Sequence, residues 1–260
     1  MNKNPMNYRY SGIFFALFAT AILSFAGIRS ASGARESNPG YMINKNSIPA
    51  TDSNITESAT AEISSSMMMY ESLGLAEIGL GIEAFELALK GYEKLKMAGK
   101  LERDQLLTIA DFSQPSTQKR LYIIDFNKQQ LLFNTYVAHG RNSGKEQAVH
   151  YSNTMSSYKS SPGFYLTEET YYGSNGYSLR LEGLEKGIND NADKRAIVMH
   201  GADYVSERLI RSQGFLGRSQ GCPAVPVKLA RPIINTIKDG SLLFIYAPVN
   251  FYAQRSTLIN

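Results

Sequence analysis

Six short apolar runs after residue 103 constrain the fold of this chain more than any other sequence feature. Val, Ile, Leu, Phe and Tyr are frequent in these runs, and turn residues separate them, which is the pattern of β-strands. The runs cover residues 106–112, 120–126, 131–138, 164–167, 195–200 and 242–246. Residues 127–130 have the composition of a hairpin turn between the second and third runs. The pattern predicts a mostly antiparallel β domain of about 150 residues.

The segment before these runs, residues 67–103, has a helical pattern. Its apolar side chains recur every three or four residues, as on one face of an amphipathic helix, at Ile78, Ile82, Phe85, Leu89, Tyr92 and Leu95. Upstream glycines make two short helices between Met69 and Lys96 as compatible with the pattern as one long helix, and Gly99 is placed to cap the end. We interpret the stripe as core packing. The predicted fold class is α+β, mostly β, with this helical segment ahead of a β domain at residues 104–260.

The first 28 residues have the pattern of an export signal. Lys3 and Arg9 precede a charge-free stretch at residues 10–28, whose apolar centre has the length of a signal-peptide core rather than of a membrane span. Ser24 and Ala26 are small residues that fit the −3 and −1 positions of a signal-peptide cleavage site after Ala26. Residues 1–28 are therefore predicted to be a signal peptide or, if uncleaved, an N-terminal anchor, which would be the only membrane contact. Both interpretations place the remainder outside the cytoplasm.

Residues 29–66 differ in composition from the segments on either side. More than half of the residues from 30 to 66 are Ser, Thr, Asn, Gly or Pro, and no apolar period is sustained. Such a segment buries too little apolar surface to offset the entropy of ordering it. We predict a flexible linker.

Charge and cysteine content exclude several classes of protein. Lys and Arg number 27 against 23 Asp and Glu, a net charge of +4 that is spread without long basic runs, so no nucleic-acid partner is predicted. The single cysteine, Cys222, excludes an intramolecular disulfide and a thiolate metal cluster. The sequence has no glycine-rich phosphate loop and no His-Glu-x-x-His motif, and we predict neither a metal nor an organic cofactor.

Cys222 lies in a turn-prone loop, with Gly217 and Gly221 before it and prolines after it. One interpretation is a small buried hydrophobic residue, the common role of a free cysteine. In an exported chain an unpaired thiol is open to oxidation, which favours the other interpretation, a catalytic nucleophile. A thiolate is stabilised by an imidazole, a cation or a helix N-terminus. His200, Arg218 and the short helix predicted after Pro226, at residues 232–238, could supply these.

Two of the three histidines share a local pattern. His139 and His200 each end an apolar strand and are followed by a glycine, whereas His150 is expected to be a surface or packing residue. A strand end can present a side chain to a cleft, and the glycine permits close backbone approach. A histidine at a strand end is structural more often than catalytic when nothing else marks it, so the pattern gains meaning only together with the cysteine.

Several motifs taken together resemble a known family. The pair His200-Gly201 and, 17 residues further on, Ser219-Gln220-Gly221-Cys222 resemble the signature of the murein L,D-transpeptidase catalytic domain, a His-Gly pair followed by Ser/Thr-His-Gly-Cys. Residues 161–165 resemble the Thr-Pro-x-Gly-x-Phe entry to a strand of that domain. The segment 138–140, Ala-His-Gly, is similar to one branch of the family. The similarity covers about residues 106–246, although glutamine replaces the signature histidine and no arginine follows the cysteine.

The resemblance implies the fold of that domain and a reaction on the stem peptides of bacterial peptidoglycan. It implies that Cys222 is the nucleophile and His200 its base, and that the backbone carbonyl of Ser219 orients the imidazole. The backbone N–H groups of Gly221 and Cys222 would bind the oxyanion. The expected location is the periplasm or cell envelope of a bacterium.

Substrate binding and the acceptor remain open at this stage. Arg218, His139 and Gly201 are candidates for binding the stem peptide, and Arg218 is a hypothetical substitute for the missing arginine. An amine acceptor would make the chain a transpeptidase, and water would make it an L,D-carboxypeptidase. A non-catalytic envelope protein that binds peptidoglycan, or a hydrolase of unrelated peptides or esters, is a further alternative. The sequence predicts no oligomeric state.

Overall fold

The structure is a computed structural model that describes residues 67–260. The predicted signal peptide or anchor at residues 1–28 and the predicted linker at residues 29–66 lie outside the described residues. None of the helices described in residues 67–260 is long and apolar enough to cross a bilayer.

Eight strands form one mixed sheet in the order β3-β2-β1-β8-β4-β5-β6-β7. The strands are β1 (Leu106–Asp111), β2 (Leu121–Asp125), β3 (Gln130–Thr135), β4 (Gly163–Gly173), β5 (Gly176–Gly183), β6 (Val198–Gly201), β7 (Ala224–Val225) and β8 (Leu242–Tyr246). Neighbours are antiparallel except for the pairs β1–β8 and β6–β7. A bridge between Ala138 and Ala224 brings the chain just after edge strand β3 against the opposite edge strand, so the sheet curls towards closure. The predicted mostly β class is confirmed.

Four helices with complete bounds accompany the sheet, and residues 67–72 are helical as well. The four are α1 (Ile82–Met97), α2 (Glu207–Gln213), α3 (Val227–Ile237) and α4 (Asn250–Arg255). A turn at residues 73–79 separates the first helical residues from α1, so the two-helix alternative describes this region. The predicted stripe is wrong at Ile78 and Ile82, which are 38% and 43% exposed because α1 begins only at Ile82. Gly99 caps α1 with a φ of +64°, as predicted.

The central strand β8 is buried on both faces. Leu242, Phe244 and Tyr246 pack into the apolar cluster beneath α1, and Leu243 and Ile245 pack into the cluster on the other side. A strand covered on both faces has an uninterrupted apolar sequence, which is why residues 242–246 were predicted with the bounds they have. The second cluster also contains the buried face of α3: Ala230, Ile233, Ile234 and Ile237.

Two predicted elements have different bounds in the structure. The strand predicted at residues 195–200 is shorter, because residues 191–197 form turns in which the Ile197 N–H donates to the Ala192 carbonyl at 2.9 Å. The helix predicted to begin at Pro232 begins at Val227 instead. Pro226 immediately precedes it, so the first-turn proline signal belonged to Pro226, and Pro232 lies inside the helix.

Strand β5 was not predicted, although its sequence contains a strand signal. Tyr177, Leu179 and Leu181 alternate with polar residues, and their side chains share one face of the strand. β5 pairs with β4 on one side and with β6 on the other. It therefore connects the centre of the sheet to the edge that carries the candidate site.

Candidate functional site

A cleft of about 400 Å³ lies at the β6–β7 edge of the sheet. Its walls include Arg141 and Arg195, the tip of the β4–β5 hairpin at residues 174–175, and residues from the cysteine loop, which we define as residues 217–223. Of the seven predicted site residues, four line this cleft: Cys222, His200, Ser219 and Arg218. The structure thus brings the predicted nucleophile and base to one cavity.

The β6–β7 ladder fixes the two chemical groups relative to each other. β6 ends with His200 and Gly201, and His200 is the ladder partner of Ala224, two residues after Cys222. Gly201 does not line the cleft but sets a packing distance. A Cβ at this position would lie 2.8 Å from the Ala230 Cβ and 3.1 Å from the Val227 Cα, so only glycine lets α3 lie this close to β6.

The His200 imidazole is 4% exposed, and its Nδ1 lies 3.0 Å from the Gly201 carbonyl oxygen. A carbonyl only accepts hydrogen bonds, so Nδ1 carries the proton and Nε2 of the neutral ring keeps its lone pair. Burial lowers the pKa of His200, against the opposing effect of the Gly201 carbonyl. His200 is therefore neutral at pH 7 and can accept a proton at Nε2.

The Cys222 side chain is 7% exposed and packs within the second apolar cluster. Its thiol donates to the Ala196 carbonyl across 3.6 Å. Burial raises the pKa of Cys222, while the Val198 N–H and the Arg195 guanidinium oppose this shift. The resting pair is consequently a neutral thiol and a neutral imidazole, and a thiolate must form during the reaction rather than before it.

The Ser219 carbonyl does not orient the imidazole in this structure. It accepts the Arg141 N–H at 2.7 Å, while the Ser219 N–H donates to the His139 carbonyl at 2.9 Å. The carbonyl that fixes the His200 ring is that of Gly201. Ser219 instead anchors the cysteine loop to the chain after β3.

The Ser219 hydroxyl organises the turn around Cys222. It donates to the Cys222 carbonyl at 2.7 Å and accepts the Gly221 N–H at 3.0 Å. The Gly221 amide predicted to bind an oxyanion is therefore occupied, and a substrate oxygen would have to displace the hydroxyl to reach it.

His139 lies outside the cleft and has no exposed surface. The Arg120 guanidinium lies 2.8 Å from Nδ1, and Nε2 lies 3.3 Å from the Gly144 carbonyl. Burial, aided by the Arg120 charge, lowers the pKa of His139 to about 3. Complete burial contradicts the prediction that His139 binds substrate, because both ring nitrogens are already bonded within the protein.

Arg218 lies at the rim of the cleft and is exposed. Its Nη1 donates to the Gly144 carbonyl at 3.1 Å, and its guanidinium lies 5.4 Å from the centre of the Phe215 ring. Arg218 is thus accessible to a ligand in the cleft. Within residues 67–260, no group of three or more His, Cys, Asp or Glu side chains is arranged to hold a metal ion.

Arg195 is the cleft residue that sequence reasoning missed. Its guanidinium binds backbone and side-chain oxygens of residues 152–161, at 2.9 Å from the Ser152 carbonyl and 2.6 Å from the Ser161 hydroxyl. These partners lie 43 and 34 residues upstream. No local periodicity marks such a residue.

One cysteine and one neutral histidine in a shared cleft on a mostly β domain are the residues that nucleophilic acyl transfer uses. A family model described as the L,D-transpeptidase catalytic domain matches residues 77–246. The chain belongs to this family, and the resemblance seen in the sequence is confirmed. The match begins ahead of α1, so it includes that helix.

Solved structures of L,D-transpeptidases are among those that align with the chain. The L,D-transpeptidase from Mycobacterium smegmatis is 12% identical over 55% of this chain and 59% of its own, with a TM-score of 0.35. An L,D-transpeptidase from Stackebrandtia nassauensis is 12% identical over 63% and 66%, with a TM-score of 0.34. L,D-transpeptidase 3 from Mycobacterium tuberculosis, in complex with a faropenem-derived adduct, is 13% identical over 55% and 60%, with a TM-score of 0.33.

The chain spans 59% of the length of the first of these structures, less than two thirds. No curated protein matches the chain.

Proposed function

We propose that this protein is a peptidoglycan L,D-transpeptidase that forms an acyl-enzyme on Cys222 and transfers the acyl group to an amine. Membership of the family supports the reaction class. The observation that carries the proposal is the shared cleft, in which the chain's one thiol lies with a histidine whose Nε2 is free to accept a proton. Family members act on cell-wall peptidoglycan, which implies a location in the envelope.

The first step moves a proton and forms the carbon–sulfur bond. His200 Nε2 removes the proton from the Cys222 Sγ as the sulfur attacks the carbonyl of the third stem residue, the position implied by the family. The thiol must leave the Ala196 carbonyl to do so. Because both groups start neutral, base and nucleophile act together, and proton transfer to a positioned base contributes ~10²–10⁴-fold to such rates.

The second step expels the leaving group. The tetrahedral oxyanion is stabilised by the Cys222 N–H and, once the Ser219 hydroxyl is displaced, by the Gly221 N–H; such donors are worth ~3 kcal/mol each. The carbon–nitrogen bond to the terminal D-alanine then breaks, and the imidazolium returns its proton to the departing amine. An amine of a second stem peptide then attacks the thioester and gives its proton to His200, and the carbon–sulfur bond breaks to form the new amide and release Cys222. Arg218, exposed at the rim, is placed to bind an anionic group of either stem.

Incubation of the purified full-length chain with disaccharide-tetrapeptide, followed by mass spectrometry, tests this function. We expect loss of one D-alanine and formation of a cross-linked dimer, and a thioester adduct in the intact protein. Since Cys222 is the only cysteine, the adduct can be assigned to it without ambiguity. Cys222→Ala should abolish the products and His200→Gln should slow them ~10²–10⁴-fold, whereas replacement of the exposed His150 should change neither.

Loss of D-alanine that survives Cys222→Ala would refute the proposal. A trimmed monomer without dimer would assign the chain as an L,D-carboxypeptidase, with water as the acceptor.

One observation favours a second candidate function, a non-catalytic envelope protein that binds peptidoglycan. Cys222 is nearly buried and its pKa is raised, as for a small core residue. Thiol labelling at neutral pH separates the two candidates. Labelling that a bound tetrapeptide prevents supports catalysis, whereas an inert thiol in a chain that still sediments with peptidoglycan supports the binding protein.

A further inference from the structure

We propose that Arg195 is a positioning residue that clamps residues 152–161, here called the strap, onto the cysteine loop and supplies the positive charge that stabilises the Cys222 thiolate. This inference rests on the proposed function, because it assigns Arg195 a part in forming the nucleophile. It also assigns to Arg195 the role of thiolate-stabilising cation, for which the sequence suggested Arg218.

The Arg195 guanidinium forms four hydrogen bonds with the strap. Nη1 donates to the Ser152 carbonyl at 2.9 Å and to the Ser161 hydroxyl at 2.6 Å. Nη2 donates to the Ser157 hydroxyl at 3.4 Å and to the Lys159 carbonyl at 2.5 Å. All four Nη protons are thus committed to the protein, so Arg195 acts on the site through its charge and its grip, not through contact with substrate.

The strap in turn rests directly against the cysteine loop. A Cβ at Gly221 would lie 2.8 Å from the Lys159 carbonyl oxygen and 3.2 Å from Arg195 Nη2. The Ser160 hydroxyl donates to the Gly221 carbonyl at 3.1 Å and accepts the Gly140 N–H at 3.0 Å. The residue before the nucleophile is therefore held by the strap segment that Arg195 fixes.

The charge of Arg195 is uncompensated, since it forms no ion pair among the residues that the structure describes. Arg180, by contrast, pairs with Glu169 and Asp193. Arg195 is half-buried, so solvent screens its field less than that of a surface charge. Its effect on Cys222 is to lower the pKa of the thiol, opposite to the effect of burial.

The other titratable groups that face the thiol differ in kind. The cleft is also lined by Arg141, His200, Tyr204 and Arg218. His200 is neutral, and burial raises the pKa of Tyr204 to about 12, so neither carries charge at pH 7. Arg218 is exposed at the rim, where water screens its charge. Arg218 is therefore the matched control for the loss of one arginine charge from the same cleft.

Alkylation of the full-length chain by iodoacetamide across a range of pH tests this role, and the single cysteine makes the signal unambiguous. Arg195→Lys keeps the positive charge but loses the planar guanidinium, whereas Arg195→Met loses both. Both variants lose the planar guanidinium that makes the four hydrogen bonds, and only Arg195→Lys keeps a positive charge, so the difference between their midpoints reports on that charge. We expect the midpoint of the alkylation profile to lie at a higher pH for Arg195→Met than for Arg195→Lys. At pH values below both midpoints, Arg195→Met should be alkylated at least ~3-fold more slowly than Arg195→Lys.

The clamping role has a separate readout. Trypsin should cleave after the half-buried Lys159 faster in both Arg195 variants than in the wild-type chain. Arg218→Met should change neither this cleavage nor the alkylation midpoint to a comparable degree.

Equal midpoints for Arg195→Lys and Arg195→Met, or an equal shift from Arg218→Met, would overturn the electrostatic role. If Arg195→Met does not fold, the rate of trypsin cleavage after Lys159 in Arg195→Lys tests the clamping role. A rate equal to that of the wild-type chain would overturn it. Alkylation needs no murein substrate. D-alanine release that survives Cys222→Ala would therefore remove the proposed function while leaving the structural assignment of Arg195 to be decided by its own data.

Discussion

Replacement of Gly201 by alanine is expected to displace His200, the proposed base, without altering any reacting group. A Cβ at position 201 would lie 2.8 Å from the Ala230 Cβ and 3.1 Å from the Val227 Cα. Carbon atoms pack at ~3.5–4.0 Å, so β6 and α3 must separate by roughly 0.5–1 Å to admit the methyl group. The atoms on the α3 side are the Val227 Cα and the Ala230 Cβ, which cannot rotate away as the end of a flexible side chain would. We therefore expect much of the displacement to occur in β6.

The movement reaches His200 by two routes. His200 is the preceding residue, and its Nδ1 is bonded to the carbonyl of Gly201 itself. A displacement of about 1 Å in a catalytic group can cost ~10²-fold in rate, whereas overpacking of a core contact costs ~1–3 kcal/mol of stability. We expect Gly201→Ala to lower kcat by ~10–100-fold, with a smaller change in KM and a loss of ~1–3 kcal/mol in the free energy of unfolding.

D-alanine release from the tetrapeptide and urea unfolding measure the two effects separately. The double variant Gly201→Ala/Ala230→Gly removes the nearest opposing methyl group. It should recover activity, although glycine in the middle of α3 costs a further ~1 kcal/mol of helix propensity. Activity should therefore recover more completely than stability does. Wild-type kcat in Gly201→Ala, or a double variant as slow as the single one, would refute this reasoning.

Two further predictions concern the described core. Gly91→Ala would place a Cβ 2.0 Å from Phe164 Cζ and should lower the free energy of unfolding by ~1–3 kcal/mol; Gly99→Ala, with open space but a φ of +64°, should lose only about 1 kcal/mol, and equal losses in urea would contradict the steric argument. Because the pKa of His139 is lowered to about 3 in the folded state, the unfolded state binds more protons than the folded state between pH 6.5 and about 3. The free energy of unfolding should therefore decrease as the pH is lowered through this window, by at most ~1.4 kcal/mol per pH unit. His139→Asn should flatten that slope in urea titrations and His150→Asn should not; the same slope in both would count against the prediction.

The fold could be predicted where a strand carries its own pattern. Residues 242–246 are buried on both faces, and a continuous apolar run reports this directly. The end of a strand is set by its partner, which local sequence does not show. β6 is short because it pairs with only three residues of β5, and the residues before it close turns within 191–197. The prediction at 195–200 therefore began too early.

Part of the candidate site could also be predicted, since chemistry restricts the residue types. A thiol and an imidazole were recognised by their scarcity, and Cys222 and His200 do line one cleft. The groups that tune them could not be found this way. The Arg195 guanidinium binds oxygens 34 and 43 residues upstream. The Gly221 amide is bonded to the Ser219 hydroxyl, a contact that the residue types of the motif do not show.

The two His-Gly pairs show where local sequence stops being informative. His139 and His200 both follow an apolar strand, and both are buried to within a few per cent. For His139 the tautomer is set by the buried Arg120, 19 residues away. The Arg120 guanidinium can only donate, so Nδ1 accepts its hydrogen bond and the ring proton lies on Nε2. For His200 the neighbouring carbonyl takes the Nδ1 proton, and Nε2 keeps its lone pair. Identical local patterns thus give opposite tautomers, and only the second can act as a base towards a thiol.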